Sequence, residues 1–120
     1  MAHNFKELDV WKRAMSVAKQ VYVVTKYFPA DERFGLTSQI QRAAVSIASN
    51  IAEGSGRGTN KDFVHFLSIA LGSAFEVETQ MILSRELGYM EENDEYKSIM
   101  EDIRVLQPQL NALIKKYNDN

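Results

Sequence analysis

Apolar residues return every three or four positions along nearly the whole chain, and only three short breaks interrupt them: Pro29, the glycines at 54, 56 and 58, and Gly88. That period gathers side chains on one face of an α-helix and has no use in a strand. Val10, Ala14, Val17, Val21, Val24 and Phe28 fall in one row, with Trp11, Met15, Ala18 and Tyr22 in the next. The spacing predicts a first helix over about 8–27 that buries a wide face. Pro29 stops it, because the residue before a proline is pushed out of helical geometry. A second helix is expected over 36–53. After the glycines, Thr59 and Asp62 have the spacing of a helix-opening cap. The third helix, 60–87, ends at Gly88, a residue suited to a left-handed stop. The fourth, 94–117, carries Ile99, Ile103, Leu106, Leu110, Leu113 and Tyr117, and Pro108 within it should kink but not break it. Long helices joined by short breaks predict an all-α, antiparallel up-and-down four-helix bundle, with residues 1–120 forming a single domain.

The third helix has more apolar surface than one core needs. Phe63, Leu67, Ala70, Ala74, Val77 and Met81 make one row, and Val64, Leu71, Phe75 and Ile82 make a second. One row suits the core, the other a partner subunit. A chain of 120 residues buries roughly two-thirds of its unfolded surface, enough for a core without staples. With no cysteine, disulfides, thiol catalysis and cysteine-bound zinc are excluded. No run approaches the roughly 18 uninterrupted apolar residues of a membrane span, so the expectation is a soluble, cytoplasmic protein with no membrane partner.

The second helix is unusual in the opposite sense. Gln39, Arg42, Ser46, Ser49 or Asn50, and Glu53 recur at steps of three and four, drawing a polar stripe down a helix whose other face is Leu36, Ile40, Ala43, Ala44, Ile47 and Ile51. A solvated outside, a buried hydrogen-bond network and a binding site all fit such a stripe. The structural expectation is a network of Arg42, Ser46, Asn50, Glu53, Ser73 and Glu76, with an Arg42–Glu76 ion pair between helices two and three, because buried charges persist only when paired. Gly72 is expected to let the helices approach closely beside it.

Catalytic chemistry finds little support. Ferritin-like metal sites need two Glu-x-x-His elements, whereas this chain has only His3 and His65, neither three residues after a Glu. No metal, cofactor or catalytic residue is assigned, and His65 is expected at the surface. The serines lie in helices without a nearby histidine. The Gly54–Thr59 loop follows a helix and lacks the Walker ending, although Arg57 and Lys61 flank the helix N-terminus it leads into, where a phosphate could sit.

Charge divides unevenly. Residues 1–61 hold nine Lys/Arg against five Asp/Glu, or +4, and residues 62–120 hold five against eleven, or −6. Lys12, Lys19 and Lys26 recur every seven residues on helix one, the best sequence signal for RNA or DNA contact, to which Arg57 and Lys61 would add. A pI of about 5.7 is low for a dedicated nucleic-acid binder.

The segments FPADERFGLTSQIQRAAVSIASNIAEGSGRG, FVHFLSIALGSAFEVETQ and LGY resemble the bacterial four-helix-bundle proteins encoded within intervening sequences of 23S ribosomal RNA genes. The resemblance runs from Leu8 to about Leu113. It implies an up-down bundle that commonly assembles as a ring-shaped homopentamer. The family is also similar to accessory proteins of diversity-generating retroelements, which bind nucleic acid and a reverse transcriptase. Two expectations follow. One is a non-enzymatic homo-oligomeric scaffold whose subunits meet through Trp11, Tyr22 and Phe75. The other is a weak nucleic-acid-binding accessory factor acting through helix one. Docking of an unidentified protein partner leaves no sequence trace.

Overall fold

A computed structural model describes residues 3–118 of the chain. After a short turn at Phe5–Glu7 come α1 (Asp9–Val24), α2 (Leu36–Ser55), α3 (Asn60–Glu86) and α4 (Asp94–Tyr117), with no strand among the described residues. Each helix packs on its neighbours in sequence and α4 returns to α1, so the four stand in a square, α2 and α3 most closely packed. At about 1.5 Å per residue α3 is about 40 Å long, close to the 44 Å long axis of the molecule. This is the antiparallel four-helix bundle that the periodicity predicts.

Local chemistry sets the ends. The Thr59 side chain accepts from the Asp62 N–H at 3.1 Å and opens α3. Asn93 does the same for α4 through the Tyr96 N–H at 3.0 Å. Gly88, at φ 80°, stops α3, and the Tyr89 N–H reaches back to the Ser84 carbonyl at 2.9 Å. α4 runs through Pro108 as one helix. Helix one is shorter than its period suggests: it ends at Val24, and Thr25–Tyr27 winds into a tighter turn. The Thr25 hydroxyl donates back to the Val21 carbonyl at 2.8 Å, leaving the chain ready to turn at Pro29.

The core is one cluster drawn from all four helices, with Val17, Val21, Ile47, Ile51, Leu67, Met81, Ile103 and Leu106 fully buried. At Gly54 the α2 and α3 helices approach closely, since a Cβ there would stand 2.7 Å from Phe66 Cβ. Gly72, expected to serve that purpose, faces open space with nothing within 4 Å of a would-be Cβ. By angular position it lies on the outward side of α3, whereas Gly54 lies on the side of α2 that meets α3.

The α1–α2 and α3–α4 connections share one end of the bundle and are tied together. The Tyr89 hydroxyl donates to Glu32 Oε2 at 2.7 Å, while Glu32 Oε1 accepts the Leu36 N–H at 3.0 Å and so caps α2. Both hydrogen bonds favour the charged carboxylate, the Leu36 amide most, and hold Glu32 below the ordinary glutamate value. A depressed folded pKa stabilises above the unfolded value, about 4.3, and the contribution is lost as pH falls through the folded one. Glu32→Gln, which cannot titrate, should therefore flatten the acid limb. Thermal midpoints measured from pH 6 downward should fall less steeply in the variant, and superimposable curves would remove Glu32 from the account.

Candidate functional site

The groove between α2 and α3 holds most of the polar stripe. The Ser46 and Ser73 hydroxyls share a hydrogen bond of 3.0 Å across the two helices. Asn50 Nδ2 donates to Ser46 Oγ at 2.9 Å and to the Ser46 carbonyl at 2.8 Å. Ser73 is buried and the other two half-buried, so the centre of the expected network exists. Its charged ends do not join it. Arg42 and Glu76 are exposed and line the same groove as Gln39, Ala43 and Ser46, yet no ion pair forms between them among the described residues. Exposed charges gain little from pairing and lose side-chain freedom by it. Glu53, also exposed, pairs along its own helix with Arg57 at 3.1 Å.

A second polar network, unanticipated from the sequence, joins α1 to α4. Asp102 Oδ1 accepts Arg13 at 2.9 Å, and Oδ2 accepts Gln20 at 2.8 Å and Ser16 at 3.4 Å. Ser98 donates to Gln20 Oε1 at 2.7 Å. On the opposite seam Glu78 of α3 accepts Arg104 at 3.3 Å and Gln107 at 2.8 Å from α4. Arg13, Ser16 and Gln20 lie at steps of three and four beside the apolar row of α1, and that flanking position is the signal that could have found them. These groups tie α1 and α3 to α4.

Two of the three helix-one lysines expected to contact nucleic acid stand beside carboxylates. Lys12 shares a groove with Asp9 and Asp102, and Lys19 shares one with Asp94 and Glu95. Lys26 is exposed in the tight turn that follows α1. Arg57 is spoken for by Glu53, and its guanidinium lies 4.7 Å from the centre of the Phe66 ring. Lys61 is exposed in the first turn of α3. His65 is at the surface, edge-on to Phe66. Among the described residues no group of three His, Asp or Glu is placed to hold a metal.

Apolar surface is the more conspicuous feature. Phe75 is 51% and Tyr22 47% exposed. Trp11 is half-buried, with Phe5 edge-on to its ring at 5.2 Å. Ile69 and Leu83 add exposed positions to α3, and Leu87 adds one at its C-cap. That helix has the length and composition to cross a membrane, with mean hydropathy 1.2 over its most apolar window, of which 33% is buried in the bundle. Its core row is the one expected; its outer surface is more apolar than a solvated helix requires.

Comparison with known proteins accords with this architecture. The family model for 23S rRNA-intervening sequence proteins matches residues 6–112. Among curated proteins, none matches the chain. A solved structure from Bacteroides thetaiotaomicron, a protein of unknown function from the S23 ribosomal protein family, superposes with a TM-score of 0.80 at 28% identity, covering 88% of this chain and 98% of its own. The match extends over all but the last few residues of α4 and spans all four helices whose packing is described above. The chain thus belongs to the 23S rRNA-intervening sequence protein family.

Proposed function

We propose that the protein is a non-enzymatic scaffold that works as a homo-oligomer, with a five-membered ring the assembly its family resemblance implies. The observation that carries this reading is the outer surface of α3. α3 carries apolar residues beyond the row that the core buries, and the monomer leaves Ile69, Phe75 and Leu83, with Leu87 at the C-cap, between 40% and 51% exposed. The aromatic flank of α1, Trp11 and Tyr22, supplies a matching surface, and large aromatics are favoured at the centres of interfaces. Polyanion binding has less support, because Lys12 and Lys19 share their grooves with carboxylates.

Phe75→Glu tests the reading. Phe75 is half exposed in the monomer, so the substitution should cost about 1 kcal/mol of monomer stability, half of what a fully buried phenylalanine contributes. Light scattering should then find the wild type as an oligomer and the variant near the 13.7 kDa of one chain, with helical circular dichroism unchanged. A variant of wild-type mass would take Phe75 out of the interface, and a monomeric wild type would remove the scaffold reading itself.

A further inference from the structure

We infer that the groove between α2 and α3 binds a small zwitterion, a molecule of free-amino-acid size that carries one carboxylate and one ammonium. Such a site is independent of the scaffold role. The groove encloses about 230 Å³ and is lined by Gln39, Arg42, Ala43, Ser46 and Glu76. That is below the roughly 300–1,000 Å³ of sites for drug-sized ligands, so its occupant has few heavy atoms. Ala43 is buried in the wall, and a single methyl group there leaves the space open.

Two observations point to a ligand. The first is that the polar lining is not engaged with itself. Among the described residues the side chains of Gln39, Arg42 and Glu76 make no hydrogen bond or ion pair. Ser46 and Ser73 bring two hydroxyl protons to one shared bond, which leaves one proton to donate. The second is Gln80, which is 7% exposed and whose Oε1 is buried without a partner. Two turns along the antiparallel helices from the Ser46–Ser73 contact, Gln80 comes opposite Gln39, at the margin of the groove. An unsatisfied buried acceptor costs stability, and native structures keep few of them. A ligand N–H relieves this one.

Charge decides the class. Arg42 and the Ser46 hydroxyl offer donors from α2, while Glu76 and Gln80 offer acceptors from α3. A carboxylate suits the first pair, since a guanidinium presents it with a planar fork. An ammonium suits the second. A phosphate or other simple anion at Arg42 would also meet Glu76, and a simple cation at Glu76 would meet Arg42. Only a ligand with both charges answers both residues, and its net charge of zero matches the lining. Arg42 and Glu76 gain little in water from pairing with each other, whereas a bridging ligand makes several contacts at once.

Three molecules of one carbon skeleton test the site, read by amide shifts of the nitrogen-labelled protein: L-alanine, L-alaninamide, which lacks the carboxylate, and propionate, which lacks the ammonium. L-Alanine should shift the Ala43, Ser46 and Glu76 amides saturably with a Kd on the order of 1 mM, weak because the charges are exposed. Each single-charge analogue should bind about tenfold more weakly or worse. R42Q should weaken alanine about tenfold and abolish its advantage over alaninamide, and E76Q should do the same relative to propionate. Q80M should leave the thermal midpoint of the unliganded protein equal or higher and still weaken alanine, a pair of effects that a merely structural glutamine would not give. Shifts that do not saturate, or that are the same for all three molecules, would overturn the site. A Q80M protein that melts lower would return Gln80 to the packing and take it out of the ammonium seat. Neither result touches the scaffold reading, whose readout is mass.

Discussion

Phe63→Ala is expected to destabilise the fold by about 3–5 kcal/mol, the usual cost of emptying a buried phenylalanine site. Phe63 is 1% exposed and organises the end of the bundle where the chain begins and α4 finishes. The His3 ring stacks on it with centroids 4.6 Å apart, and Tyr117 meets it edge-on at 5.2 Å. His3 is held further by its N–H, which donates to the Ser55 carbonyl at 2.7 Å. Removing the ring leaves a cavity that helices tied at the far end by Glu32 and Tyr89 have little freedom to close. Two results should therefore appear together: a lower midpoint in urea, and faster amide exchange at His3 ahead of the core. A shift below about 1 kcal/mol would mean that the site collapses and refills, at variance with the rigid packing described.

Gly54→Ala should cost about 1–3 kcal/mol, the usual penalty of overpacking. Alanine is intrinsically the better helix residue by about 1 kcal/mol, so the sign of the outcome is informative. Position 54 lies inside α2, and a Cβ there would be 2.7 Å from Phe66 Cβ, 3.2 Å from Phe63 Cδ1 and 3.3 Å from the Phe63 carbonyl oxygen. Two of those three atoms are fixed to the α3 backbone or part of it, so α2 and α3 must separate. Gly72→Ala is the control: with nothing within 4 Å, it should stabilise the monomer by up to about 1 kcal/mol. Denaturant melts of the two variants should move in opposite directions. A Gly54→Ala protein as stable as the wild type would show that the helices are not in close contact there. Combined with Phe63→Ala, the glycine substitution should cost less than it does alone, because one of its three close contacts disappears while the one to Phe66 persists.

These two glycines mark where sequence reasoning worked and where it could not. Gly88 and Thr59 were legible because a helix stop and a helix cap are local events, decided within five residues. The four helices were legible because the rows ending in Tyr117 and Met81 repeat for several turns. Which glycine lies at a helix crossing depends on how far α2 leans toward α3, a quantity no single helix encodes. Arg42 and Glu76 failed to pair for a similar reason: they face the same groove, but the gain in water does not cover the freedom lost. The Asp102 network escaped notice because Arg13, Ser16 and Gln20 taken singly read as surface residues, and only the α1–α4 packing gives them a common acceptor. The outer row of α3 was visible as an apolar excess, and a single chain's periodicity does not specify what would cover it.

His3 lies against Tyr117, their ring centroids 5.1 Å apart. The beginning and the end of the described chain thus leave the bundle side by side, at the end away from Glu32 and Tyr89. In a ring of parallel copies every such pair would emerge on one rim, and the opposite rim would be closed by the two helix connections. A segment fused to either terminus would be displayed in a single crown, leaving the other rim free to meet a different surface.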